Sequence, residues 1–169
     1  MTTPGTLEIV PAHLDDAPAI LAMQKVAFEP EARACDEWEI PPLIETVEVV
    51  REHIRAATVL KAMDGDRMIG SIRGLVTGDT CLIRVLAVAP QAQGRGVGAL
   101  LLTAIEAAHP QVERFELTTN MIMVANVRFY LRHGYDVVDQ VQHAPTIRLA
   151  FMRKAQSASS RLPQASASL

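Results

Sequence analysis

Between Val88 and Gly98 the chain reads Val-Ala-Pro-Gln-Ala-Gln-Gly-Arg-Gly-Val-Gly. An apolar run, Cys81 to Ala89, leads into this stretch, and an apolar helical pattern, Ala99 to Ala108, leads out of it. A glycine-rich turn between a buried strand and the start of a helix suits phosphate. The first N–H groups of a helix have no intrahelical acceptor, and the helix dipole adds partial positive charge at that end. Gly96 and Gly98 let the backbone approach an anion without a Cβ in the way. Arg95 adds a fixed charge and a planar donor fork. The competing reading is an ordinary strand-to-helix turn. No Lys-Ser/Thr pair ends the stretch, so it is not a P-loop, and the spacing Gly94, Gly96, Gly98 is not the dinucleotide fingerprint G-x-G-x-x-G.

Other candidate groups lie further out. Asn126 and Tyr130 are four residues apart in a helical pattern and share one face, as do Tyr130 and Gly134. A tyrosine beside Phe129 on an amphipathic helix is also an ordinary core residue with a satisfied hydroxyl. Glu29, Glu31, Asp36, Glu37 and Glu39 cluster with only Arg33 to offset them. They read either as a field that draws in a cation or as a solvated acidic loop. His13, His53, His109 and His133 fall at or beside helix ends, and His143 falls in the loop before the last strand. No His/Cys/Asp group has metal-ligand spacing, so no metal is expected. Cys81 sits in an apolar strand pattern and reads as a small buried hydrophobe.

These groups need a scaffold, and the chain supplies one. Its 169 residues are 49% hydrophobic and 21% charged, which fits one globular domain with a real core. A net charge of −3 argues against nucleic acid as a partner. No apolar run reaches the ~20 residues of a membrane span. Asp15 and Asp16 come early and no basic region precedes an apolar core, so a cytoplasmic location is expected.

Thr6 to Pro11 alternates as a first strand. A helix follows, capped by Asp15 or Asp16, with Ala17, Ile20, Leu21, Gln24 and Phe28 mostly on one face. Residues 29–45 read as a connection in which Pro30, Pro41 and Pro42 break any helix. Thr46 caps a second helix. Thr58–Met63, Met68–Val76 and Cys81–Ala89 form a meander turned by Asp64-Gly65-Asp66 and Gly78-Asp79. A helix over 96–108, a strand Arg114–Thr119, a helix over 123–133 stopped by Gly134, and strands Tyr135–Val141 and Thr146–Met152 complete the domain. It spans residues 1–154, and 155–169 read as a disordered low-complexity tail. The order β-α-α-β-β-β-α-β-α-β-β gives an α/β (α+β) fold: a mixed, mostly antiparallel central sheet with helices on its faces.

The spacing Gln93-x-x-Gly96-x-Gly98 resembles the acetyl-coenzyme A pyrophosphate loop of the GCN5-related N-acetyltransferases, the GNAT superfamily. The element order matches that family over roughly residues 5–154. Thr118 to Tyr135 is similar to the family pattern T-N-x-x-M-x-x-N-x-x-x-Y-x-x-x-G-[FY]. The resemblance implies acetyl-coenzyme A as cosubstrate and an acceptor amine on a small molecule or peptide. Backbone of Leu86, Ala87 and Val88 is then expected to pair with pantetheine, with the Val88 N–H facing the thioester carbonyl. Gln93, Gly94, Arg95, Gly96, Val97, Gly98 and Ala99 are expected at the pyrophosphate, and Asn126 along the pantetheine chain. Tyr130 is expected beside the sulfur, where a phenol, protonated at neutral pH, can donate to the leaving thiolate. The acidic cluster falls where the family builds its acceptor lip. The resemblance also implies a homodimer as one arrangement, without locating an interface. Two alternatives stand: a non-catalytic acyl-coenzyme A module on the same fold, and a nucleotide-binding α/β protein, which the 58–89 meander opposes.

Overall fold

The computed structural model describes residues 5–157. Seven strands form one sheet in the order β1-β2-β3-β4-β5-β7-β6. In chain order these are β1 (Leu7–Pro11), β2 (Thr58–Asp64), β3 (Arg67–Thr77), β4 (Thr80–Val88), β5 (Arg114–Asn120), β6 (Asp136–Ala144) and β7 (Ile147–Ala155). Every neighbouring pair is antiparallel except β4 and β5, which run parallel. The mixed, mostly antiparallel sheet and the meander read from residues 58–89 are present. Two-residue turns close the meander, with Gly65 and Gly78 at positive φ.

Helices cover both faces: α1 (Ala17–Cys35), α2 (Pro41–Ile44), α3 (Val47–Ala56), α4 (Val97–Ala107) and α5 (Val124–Arg132). Thr46 caps α3 as expected, its hydroxyl accepting from the Val49 N–H at 3.3 Å. Helix α4 sets Val97, Leu101, Leu102 and Ile105 into the main core, against Ile69, Ile72, Cys81, Ile83 and Phe115. It lies unusually close to β3. A Cβ on Gly70 would come 2.9 Å from Leu101 Cδ1, and one on Gly74 2.9 Å from Ile105 Cγ1. These two positions admit only hydrogen, which fixes the height at which α4 rides on the sheet. A second cluster joins Ala17, Ile20 and Leu21 of α1 to Val50 of α3 and Val59 of β2.

The segment 29–45 corrects the sequence reading. Helix α1 continues through Pro30 to Cys35, and Pro41 and Pro42 open the short helix α2 rather than breaking one. Pro30 costs the helix one hydrogen bond and some crowding, about 3 kcal/mol. It lies on the exposed side, where water can take the orphaned carbonyl. Beyond it, Ala32 and Cys35 are fully buried against Ile40 and Ile147. That burial holds the next turn helical. Pro41 and Pro42 occupy first-turn positions, where a missing N–H costs nothing.

A buried polar seam fastens the 41–46 segment. The Arg73 guanidinium donates to both Glu45 carboxylate oxygens, at 2.9 and 3.1 Å. Gln24 Nε2 donates to Glu45 Oε2 and to the Pro42 carbonyl, both at 2.8 Å. His53 lies 3.6 Å from Glu45, and burial together with Arg73 holds its pKa below the usual histidine value.

At the C-terminal end β7 reaches Ala155, which pairs with Arg114, and Gln156 bonds the carbonyls of Glu113 and His109. The rest of the expected tail, 158–169, lies outside the described residues. Strand β6 extends to Ala144, so His143 is an exposed strand residue rather than a loop residue. Among the described residues no helix is long and apolar enough to cross a membrane.

Candidate active site

The parallel strands β4 and β5 touch over three residue pairs only: Thr80–Arg114, Cys81–Phe115 and Leu82–Glu116. Each strand then continues, β4 to Val88 and β5 to Asn120, with no pairing between them. A bulge in β4 starts the divergence. Ser71 faces Ala87 and Arg73 faces Arg84, so two β4 residues, Val85 and Leu86, oppose the single Ile72. Val85 takes φ +46°, a left-handed conformation that a β-branched residue adopts only under strain.

Beyond the bulge the backbone polarity is fixed. The Ala89 N–H donates to the Ile69 carbonyl at 2.9 Å on the β3 side. Strand alternation therefore turns the N–H and C=O of Val88 and Leu86 the other way, into the gap, while Ala87 faces Ser71. The Gln93 side chain reaches back from the turn and donates to the Val88 carbonyl at 3.2 Å. The Val88 N–H is left directed into the gap.

At the end of β4, a 3-10 turn over Pro90–Ala92 leads into the glycine turn. Gly94 and Gly96 take φ +77° and +79°, and nothing lies within 4 Å of a Cβ built on either. Gly96 is the N-cap of α4, and its carbonyl accepts the first helical bond from Leu100 at 3.1 Å. The N–H groups of Val97, Gly98 and Ala99 precede that bond and have no acceptor within the helix. Gly98 sits deeper, with a Cβ position at ordinary contact distance from Phe129 and Val88. Arg95, expected at the pyrophosphate, has an ion-pair partner within the fold. Its guanidinium pairs with Asp64 in the β2–β3 turn at 3.0 Å, so the charge is already engaged and the turn's attraction for an anion rests on backbone groups.

Helix α5 brings in the second group. Asn126 is exposed near its start, one turn before Tyr130. The Tyr130 ring is half-buried, edge-on to Phe129 at 5.2 Å and to Tyr135 at 5.9 Å. Burial, with the negative charge of Glu31, pushes its phenol pKa well above the ordinary tyrosine value. It is a protonated donor at any physiological pH. Among the described residues its hydroxyl has no hydrogen-bond partner. The neighbouring Tyr135 shows the contrast, since its hydroxyl donates to Glu106 at 2.7 Å and Lys154 binds the same carboxylate. Tyr135 is the core tyrosine of the pair.

The acidic cluster separates into different environments. Glu29 pairs with Arg33, Glu37 accepts from the Glu39 N–H, and Asp36 ends α1 in a left-handed turn. Glu31 alone points to the sheet side of α1, towards Tyr130 and Asn120. Burial raises its pKa above the ordinary glutamate value, and the Asn120 amide opposes that rise. In the sequence Glu31 is one of five clustered acidic residues and Asn120 is one member of the Thr118 to Tyr135 pattern, where neither is singled out. The signal was there, because Glu31 lies seven residues after Gln24 and eleven after Ile20, on the buried face of a helix that a break at Pro30 hides. Cys81 is fully buried and its thiol is pushed up to about 11, as a small hydrophobe rather than a nucleophile. Among the described residues no three His, Cys, Asp or Glu groups could hold a metal ion.

The described arrangement is a gap in a sheet with a backbone donor on one wall, a glycine turn with free helix N–H groups at the end of β4 and a protonated phenol on the helix that follows β5. The family model for the acetyltransferase (GNAT) domain matches residues 55–137, which hold β2 to α5, with the Val88 N–H, the glycine turn and Tyr130 among them. No curated protein matches the chain in sequence. Solved structures share its fold. The ribosomal-protein-S18-alanine N-acetyltransferase of Escherichia coli superposes with a TM-score of 0.76 at 16% identity, covering 97% of this chain and 99% of that one. YncA of Salmonella typhimurium, solved with acetyl-CoA, gives 0.73 at 16% identity over 96% and 99%. The PaiA N-acetyltransferase of Thermoplasma acidophilum, solved with coenzyme A, gives 0.69 at 15% identity over 89% and 99%. The matched domain and the shared fold agree, and residues 55–137 of the chain form an acetyltransferase (GNAT) domain.

Proposed function

We propose that this protein is an N-acetyltransferase that moves the acetyl group of acetyl-coenzyme A to a primary amine by direct attack within a ternary complex. The observation that carries the proposal is the gap after Leu82 and Glu116, with the Val88 N–H directed into it and Tyr130 beside it.

In that gap, pantetheine adds to β4 as a strand would, through Leu86 and Val88. Its pyrophosphate lies on the turn from Gln93 to Ala99, at the N-terminus of α4. Asn126 contacts the pantetheine arm. A neutral amine attacks the thioester carbonyl, and the developing oxyanion faces the Val88 N–H, a donor of the kind worth about 3 kcal/mol of barrier. The C–S bond breaks as the C–N bond forms, Tyr130 gives its proton to the departing thiolate, and the nitrogen releases its extra proton to water, which restores the phenol.

Thermal unfolding with acetyl-CoA, coenzyme A, NAD and ATP side by side tests the cofactor. A ligand at ~100 times its Kd adds about 2.7 kcal/mol. In a chain of this size that is roughly 5–10 °C. A shift with both coenzyme A forms and with neither nucleotide is expected, followed by thiol release in a screen of primary amines. A shift with NAD or ATP only, or with no ligand, refutes the proposal.

A further inference from the structure

Helix α1 presents an apolar face to the sheet, on which Ile20, Leu21, Ala32 and Cys35 are buried. Two polar side chains interrupt that face. Gln24 is fully committed, to Glu45 and to the Pro42 carbonyl. Glu31 is not. Among the described residues it has no ion pair, and no arginine or lysine acts on it. The groups that face it are neutral: the amide of Asn120 at the end of β5, and the phenol of Tyr130 on α5. Asn120 is 3% exposed, and its Nδ2 is buried with no partner in hydrogen-bonding distance. A carboxylate withdrawn from water with no counter-charge is costly to keep. The polar groups converge where the gap between β4 and β5 opens, on the Tyr130 side.

We propose that Glu31, flanked by Asn120 and Tyr130, is the seat on which the acceptor docks as a primary alkylammonium, before its nitrogen loses a proton to water and attacks as the neutral amine. The proposal rests on the acetyltransferase reading, which puts the thioester sulfur beside Tyr130. A single carboxylate with neutral companions matches a monovalent cation, whereas a divalent metal asks for three or more ligands. Burial disfavours the lone carboxylate charge, and a cation beside it restores the balance. Leu149, the register partner of Asn120, and Phe28, one turn before Glu31, belong to an apolar cluster that suits an uncharged stem behind the ammonium.

The seat can be read without knowing the natural acceptor. S-(3-aminopropyl)-CoA and S-butyl-CoA differ by a terminal ammonium in place of a methyl group, and both carry it past the sulfur. Calorimetric titration of the full chain is expected to show the aminopropyl thioether binding about tenfold tighter, the scale of one hydrogen-bonded charge pair. Glu31→Gln is expected to abolish that preference and leave S-butyl-CoA affinity within twofold of the wild type. Glu31→Asp, which keeps the charge one methylene back, retains part of the preference. Equal affinities in the wild type, or a preference that survives Glu31→Gln, overturn the seat and leave the coenzyme A site standing. Failure of S-butyl-CoA to bind the wild type overturns the acetyltransferase reading, and the seat with it. The wild-type comparison needs no variant to fold.

Discussion

Removing the Glu45 carboxylate isolates a charge that the fold has already taken out of water. The side chains of Arg73 and Glu45 are 8% and 13% exposed and bonded at 2.9 Å. Arg73 Nη1 is buried without a partner even in the intact protein, so Glu45 is the group that balances the guanidinium. Glu45→Ala leaves that cation alone on β3, and breaking a buried pair this way costs about 3–5 kcal/mol. Gln24 keeps its bond to the Pro42 carbonyl, so its share of the loss is small. At roughly 2–4 °C per kcal/mol for a chain of this size, Tm should fall by about 6–20 °C. The double variant Glu45→Leu with Arg73→Met removes both charges and fills similar volume. It should recover most of the loss, because an apolar pair is often as good as a buried ionic one. Calorimetry on the wild type, Glu45→Leu, Arg73→Met and the double variant completes the cycle, with Glu45→Ala measured alongside. A loss under about 1 kcal/mol for Glu45→Ala, the range of a surface pair, would falsify the claim that Arg73 depends on Glu45. A double variant no better than the single one would place the cost in packing instead.

Four further outcomes are expected. Tyr130→Phe should lower turnover by roughly 10²-fold with acetyl-CoA affinity unchanged, and unchanged turnover removes it as the general acid. Gly96→Glu puts a side chain and a negative charge at a left-handed position on the proposed pyrophosphate turn, and should weaken coenzyme A binding at least tenfold by calorimetry. Undiminished binding in the folded variant moves the ligand elsewhere. Arg95→Gln should change coenzyme A affinity by less than about threefold, since Asp64 already holds the guanidinium. A much larger loss shows that the guanidinium leaves Asp64 for the phosphate. Glu31 carries a raised pKa, so its folded state prefers the protonated form, and this stabilising preference is lost as pH rises through the folded pKa. Glu31→Gln should therefore raise Tm at about pH 7 and lose that advantage towards about pH 4, where the carboxyl is protonated in both states. A variant less stable than the wild type at neutral pH contradicts an uncompensated charge at this position.

The strands of the meander and the glycine turn were legible because their signals are local. Asp64-Gly65 and Gly78-Asp79 fix hairpin turns, and an apolar run on each side leaves one register that buries the right face. Thr46 at the start of α3 is a signal of the same kind. The misreadings share a cause as well. Pro30 is a strong local breaker, and only the burial of Ala32 and Cys35 against Ile40 and Ile147, residues distant in sequence, overrides it. The engagement of Arg95 by Asp64 joins positions 31 apart and carries no sequence signature. Glu31 was hidden among five acidic residues, because the helix phase that sorts them depends on α1 continuing past Pro30. In the site, then, the backbone elements could be read in advance. Which charges face inward could not.

The three-rung contact between β4 and β5 has a mechanical consequence. It divides the sheet into two leaves, β1 to β4 and β5 to β7, hinged at Leu82 and Glu116. Beyond the hinge the leaves are held by side chains packed under α4 and by Glu106, which grips Tyr135 and Lys154 from the second leaf. Backbone ladders resist opening as units, whereas side-chain contacts yield one at a time, so the hinge is where the sheet should breathe. Amide exchange should be fast at Leu86 and Val88 and slow at Cys81. A ligand strand laid along β4 supplies the missing rungs and stiffens the mouth of the gap. Under the proposed function, the cofactor is then a structural member of the sheet as well as a reactant.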